Sequence, residues 1–70
     1  MKFDYCYVRY EPYLRVISRK FFFTPDTTLA AFIRAAQSHG IVRRVDFPTT
    51  PEPISAEEVA TAQADGRVVL

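Results

Sequence analysis

Cys6 is the one thiol and His39 the one imidazole in this 70-residue chain, and their setting argues against catalysis. A zinc site built on them would need carboxylates for its remaining ligands, which is foreign to structural zinc. A lone cysteine cannot form an internal disulfide, and the apolar neighbours of Cys6 predict a small buried hydrophobe in a reducing compartment. Glu57 and Glu58 are adjacent, so on a helix they diverge by about 100° and serve the dipole of a first turn better than acid–base chemistry. Ser18, Ser38 and Ser55 lack the Gly-x-Ser-x-Gly setting of a nucleophile, and no carboxylate is placed in sequence to orient His39. Gly40 and Gly66 are too few for a phosphate loop or a dinucleotide fingerprint. The residues therefore predict no enzyme, no metal and no cofactor.

The chemistry that remains is recognition. Eight of the ten aromatic residues (Phe3, Tyr5, Tyr7, Tyr10, Tyr13, Phe21, Phe22 and Phe23) fall within the first 23 positions, interleaved with Arg9, Arg15 and Arg19. Tyrosine and arginine offer broad amphipathic area and forked donors, and both are enriched at interface hot spots. The expected partner-binding surface is Tyr5, Tyr7, Arg9, Arg15, Arg19 and Phe21, joined by Arg43 and Arg44 from a later strand. The expected partner is another protein. Two alternatives use the same residues: a homodimer contact, or RNA or single-stranded DNA stacked on Phe3, Tyr5, Tyr7 or Phe21 with the arginines on phosphates. A net charge of only +1 and the lack of an RNP-type Gly-Phe motif weigh against nucleic acid.

That small net charge hides an asymmetry. Residues 1–44 hold eight basic side chains against three acidic ones, and residues 45–70 hold Arg67 against Asp46, Glu52, Glu57, Glu58 and Asp65. The halves either present opposed surfaces or neutralise each other. Lys2, Asp4 and Arg9 interrupt any apolar run at the N-terminus, and no stretch approaches the ~18 apolar residues of a membrane span. The expectation is a single small cytoplasmic domain with no membrane partner, at a size where one core supplies only about 3–5 kcal/mol.

The elements that must position these residues follow from periodicity. Residues 2–10 alternate as a strand, Glu11-Pro12 breaks it, and 14–23 form a second strand, so residues 2–23 read as an antiparallel hairpin. A three-residue loop, Glu11 to Tyr13, would put Cys6, Val8, Tyr10, Leu14, Val16 and Phe22 on a core face. Phe3, Tyr5, Tyr7, Arg9, Arg15, Ile17, Arg19 and Phe21 would share the other, and Val16→Asp should then unfold the chain. Thr24 or Asp26 caps a helix over about 26–39, whose apolar stripe is Leu29, Phe32, Ile33 and Ala36. Gly40 ends it in a left-handed conformation, with Ile41 as the accompanying apolar contact and His39 compensating the dipole. A third strand runs over about 41–47 with Ile41, Arg43, Val45 and Phe47 on one side, and Pro48–Pro53 is an extended connector. Ser55 and Glu58 form a capping box, flanked by an Ile54–Val59 staple, for a weakly amphipathic helix over about 56–65. Residues 67–70 add a short edge strand.

The fold expected is a small single-sheet α+β domain, β-β-α-β-α-(β), with an N-terminal hairpin and a helix packed on one face. In element order alone this resembles the β-grasp arrangement of ubiquitin-like folds, which implies a hairpin closing on one helix. In size and style the chain is also similar to the small proteins with which bacteriophages and other mobile elements block host machinery, anti-CRISPR proteins among them. That likeness is one of general character and rests on no particular residue. It implies an adaptor or inhibitor that works by occupying a partner's surface.

Overall fold

Alternation of polar and large apolar side chains makes β1 (Asp4–Glu11) the strand around which the chain is organised. In the computed structural model, which describes residues 2–70, β1 pairs antiparallel with β2 (Ile17–Phe23) on one side and with β3 (Ile41–Asp46) on the other. The two-residue β4 (Val68–Val69) joins the outer edge of β2 in parallel, giving the order β3-β1-β2-β4. The result is an α+β domain with a single mixed sheet and two helices, α1 (Leu29–Gln37) and α2 (Ala56–Ala64).

The two crossovers explain why both faces of the sheet are used. β2, β3 and β4 run parallel to one another; α1 carries the chain from β2 past β1 to β3, and α2 carries it back across the sheet to β4. Connections of the same hand that travel in opposite directions must pass over opposite faces. Accordingly, Phe32 and Ala36 of α1 pack on Cys6, Val8, Tyr10 and Phe21, while Ala62 and Val59 of α2 pack on Tyr5 and Phe22 from the other side. Val69 and Val68 divide between these two layers in the same way. This departs from the β-grasp expectation of one covered face, because α2 shields part of the second.

The hairpin register differs from the expected one by three residues. Cys6 lies opposite Phe21, Val8 opposite Arg19 and Tyr10 opposite Ile17, so β2 begins at Ile17 and the loop is 12–16. An odd offset exchanges the two faces of a strand. Phe21 therefore joins Cys6, Val8 and Tyr10 under α1, and Phe22 moves to the Tyr5 side under α2. Leu14 and Val16, expected in the core, are 97% and 47% exposed. The observed register leaves Leu14 and Val16 in the loop but buries Phe21 under α1 and Phe22 under α2, whereas the expected one would leave Phe21 on a face shared with Arg15 and Arg19; a phenylalanine ring brings more apolar area than either aliphatic side chain.

β3 also breaks its expected alternation. Arg9 lies opposite Arg44 but Tyr10 lies opposite Val42, which leaves Arg43 as the extra residue of a β-bulge. The bulge lets Val42 and Val45 pack on the same α1-side core even though they are three residues apart.

The helix ends are built from local hydrogen bonds. Thr24 to Thr27 form a turn closed by Thr27 N–H to the Thr24 carbonyl (3.0 Å), so Thr28, and neither Thr24 nor Asp26, is the cap of α1, its hydroxyl accepting from the Ala31 amide. Leu29, read as part of the apolar stripe, sits at the first turn and is exposed. Gly40 has φ +154°, and a Cβ there would lie 2.5 Å from the Glu11 carbonyl oxygen. Its role is close approach to the end of β1, and Ile41 beside it is exposed rather than a capping contact. The left-handed cap is found instead at Gly66 (φ +73°), where Arg67 N–H reaches the Ala62 carbonyl and Gly66 N–H the Gln63 carbonyl. Ser55 and Glu58 form the expected capping box.

Candidate protein-contact face

α2 packs over β2 and β4, so the half of its sheet face made by β1 and β3 has no covering helix among the described residues. By register that half carries Tyr7 and Arg9 from β1 and Arg44 and Asp46 from β3, with Tyr7 opposite Asp46 and Arg9 opposite Arg44. Tyr7 is 41% exposed and both arginines are exposed. Arg44 Nε donates to Asp46 Oδ1, while Arg9 makes no ion pair among the described residues. Like charges directly opposite on neighbouring strands oppose pairing. The pair of arginines therefore contributes nothing favourable to this sheet on its own.

The structure divides the eight expected contact residues. Tyr7, Arg9 and Arg44 share the uncovered half-face. Arg15 is exposed in the hairpin loop at its end, and the bulged Arg43 is held there by Glu11 Oε1, 2.7 Å from Nη2. Arg19 is exposed but lies opposite Val8, hence on the α1 side of the sheet. Tyr5 and Phe21 are buried and are withdrawn from the surface set: Tyr5 packs on Phe22 and Ala62, and Phe21 on Tyr10, Phe32 and His39. The Tyr5 hydroxyl accepts from the Glu52 amide at 2.9 Å and so anchors the proline-rich connector to β1.

Lys20 and Glu58 border the face as a pair that no local sequence pattern marks. Lys20 Nζ lies 2.7 Å from Glu58 Oε1 and 4.2 Å from the centre of the Tyr5 ring. Glu58 Oε2 meanwhile accepts from the Ser55 amide. The Lys20 hydrogen bond, then the Ser55 amide, hold the Glu58 carboxyl below its ordinary range, and the same Lys20–Glu58 bond holds the ammonium above its own. The signal lies in the register: once Lys20 of β2 is placed opposite Tyr7, it shares the α2 side of the sheet and meets Glu58 in the first turn of that helix.

The charge asymmetry is partly consumed by folding. Lys20–Glu58 and Arg44–Asp46 join the basic and acidic segments, and Arg67–Asp65 closes within the acidic one. Arg9, Arg15, Arg19 and Arg34 remain outside any ion pair among the described residues. Cys6 is fully buried, and burial pushes its thiol up to about 12, which leaves it without thiolate character near neutrality. His39 Nε2 sits 3.0 Å from the Gly66 carbonyl oxygen and its ring packs on Tyr10 and Phe21, a role that joins the ends of the two helices. Among the described residues no cluster of His, Cys, Asp or Glu is placed to hold a metal ion, and no helix is long and apolar enough to cross a membrane.

Comparison with protein-family models, with curated proteins and with solved structures finds no match.

Proposed function

We propose that this chain is a non-enzymatic protein-binding module, an adaptor or inhibitor that occupies an acidic patch on a partner through Tyr7, Arg9 and Arg44. The observation that carries this reading is the Arg9–Arg44 cross-strand pair beside an exposed tyrosine, on the half-face that α2 leaves uncovered. Arg9, which makes no ion pair among the described residues, gains one when a partner supplies a carboxylate, and that carboxylate also relieves its repulsion with Arg44, which Asp46 already holds. The tyrosine adds apolar area at low entropic cost. Grip by the arginines is favoured over mimicry of nucleic acid by the acidic segment, because Asp46, Glu58 and Asp65 are engaged by the chain's own cations while Arg9 and Arg15 stand outside any ion pair among the described residues.

The nucleic-acid reading draws less support, since stacking needs rings on neighbouring strands and burial of Tyr5 and Phe21 leaves Tyr7 without such a neighbour. A two-fold homodimer through this face would bring two Arg9–Arg44 pairs together, which like-charge repulsion opposes. The test is capture by the tagged wild-type chain and by a Tyr7→Ala/Arg9→Ala variant, with and without nuclease. A protein retained by the wild type after nuclease and lost with the variant is the expected outcome. Recovery that depends on nucleic acid, or equal recovery by both chains, would overturn the proposal.

A further inference from the structure

Away from that face, the two ends of β1 carry apolar features that the described residues cover only in part. At the start of β1, an open cleft of about 790 Å³ lies between the sheet, the proline-rich connector and α2, lined by Phe3, Phe47, Pro51, Ile54, Val59 and Ala60. At the far end, about 25 Å away over eight residues of strand, the 12–16 loop holds Tyr13 and Leu14 out into solvent, 88% and 97% exposed. Loop tips are ordinarily furnished with small polar residues. Here the tip is a convex apolar knob.

The charges around the two features are complementary. Arg15 follows the knob and makes no ion pair among the described residues, while Asp4 and Glu52 at the cleft make none either. Lys2 also lines the cleft, so the carboxylates there exceed the ammonium by one. The cleft's volume falls in the ~300–1,000 Å³ range of clefts that take a drug-sized ligand, which is room for a pair of side chains.

The geometry points to head-to-tail self-association, in which Tyr13 and Leu14 of one copy insert into the connector–α2 cleft of the next. Knob and cleft are different surfaces, so the contact is heterologous, and each added copy leaves one of each unoccupied. It propagates into rings or open chains. A single loop buries less than the ~1,200 Å² of a standard stable interface, so the association is concentration-dependent. Tyr7, Arg9 and Arg44 line neither the cleft nor the knob.

The decisive experiment is sedimentation equilibrium up to about 1 mM on the wild type, Leu14→Asp, Ala60→Arg and an equimolar mixture of the two variants. Leu14 and Ala60 are both exposed, so each variant is expected to fold, which its amide NMR spectrum checks. Should either fail to fold, Tyr13→Asp or Gln63→Arg replaces it at an equally exposed position. The expected result is wild-type mass that rises beyond dimer with concentration, two monomeric variants, and a mixture that forms a 1:1 dimer and grows no further. A monomeric wild type, a variant that still associates like the wild type, or a mixture that stays monomeric would overturn the inference.

Discussion

Arg9 and Phe21 illustrate how one strand pairing assigns opposite fates to residues of the same expected surface. Phe21 is fully buried against Tyr10 and Phe32, so Phe21→Ala is expected to cost about 3–5 kcal/mol, read as a shift in denaturation midpoint. Val16→Asp, by contrast, should leave the chain folded with a midpoint near that of the wild type, because Val16 is half-exposed beyond the end of β2. A collapse of Val16→Asp would restore the shorter hairpin loop. The exposure of Tyr7, Arg9 and Arg44 could be read from the sequence. Their separation from Tyr5 and Phe21 could not, because Pro12 and a turn without Asn-Gly or Asp-Gly leave the loop length open, and each added residue flips β2.

At the scale of elements, local chemistry specified most of what formed. The Ser55–Glu58 capping box, the proline-rich connector and the short terminal strand all lie where the pattern put them. What escaped was tertiary: the bulge at Arg43 answers the need to bury Val42 and Val45 together, and no local signal marks it. Gly40 was visible as a breaker, but the reason for glycine is the Glu11 carbonyl and the Pro12 Cα packed against it. Gly40→Ala should therefore destabilise by more than about 1 kcal/mol, measured by urea unfolding; an unchanged midpoint would contradict the close approach. The Lys20–Glu58 link fastens α2 to β2 and gives stability a defined pH dependence. Glu58 is held below its ordinary 4.5, so its contribution is present above that value and is lost as pH falls through the lower folded value. Lys20 is held above its ordinary 10.5, so its part is complete below that value and is lost as pH rises through the raised one. Glu58→Gln should flatten the acid-side loss of the urea midpoint relative to the wild type; an identical acid limb would show that other carboxylates set it.

For the whole molecule, two crossovers travelling in opposite directions put one helix on each face of a narrow sheet, and the shorter coverage by α2 leaves the β1–β3 half-face open. The element order and fold class were legible, whereas the division of labour between the helices was not, because α2 presents little apolar surface beyond Val59 and Ala62 and reads in sequence as too weak to cover a sheet. It succeeds because Tyr5 and Phe22 supply the bulk from beneath, with the connector anchored on the Tyr5 hydroxyl. The open half-face then has an energetic signature: opposed arginines stand where an ion pair would serve the fold better. The most direct test is to measure, on Arg9→Glu, both the unfolding midpoint and the affinity for the protein recovered by capture. The expected midpoint equals or exceeds that of the wild type, as the introduced carboxylate gains Arg44 across the strands for about 0.2–1 kcal/mol, and the affinity weakens about tenfold or more. Undiminished affinity in a folded Arg9→Glu chain would contradict the assignment of this face to partner binding.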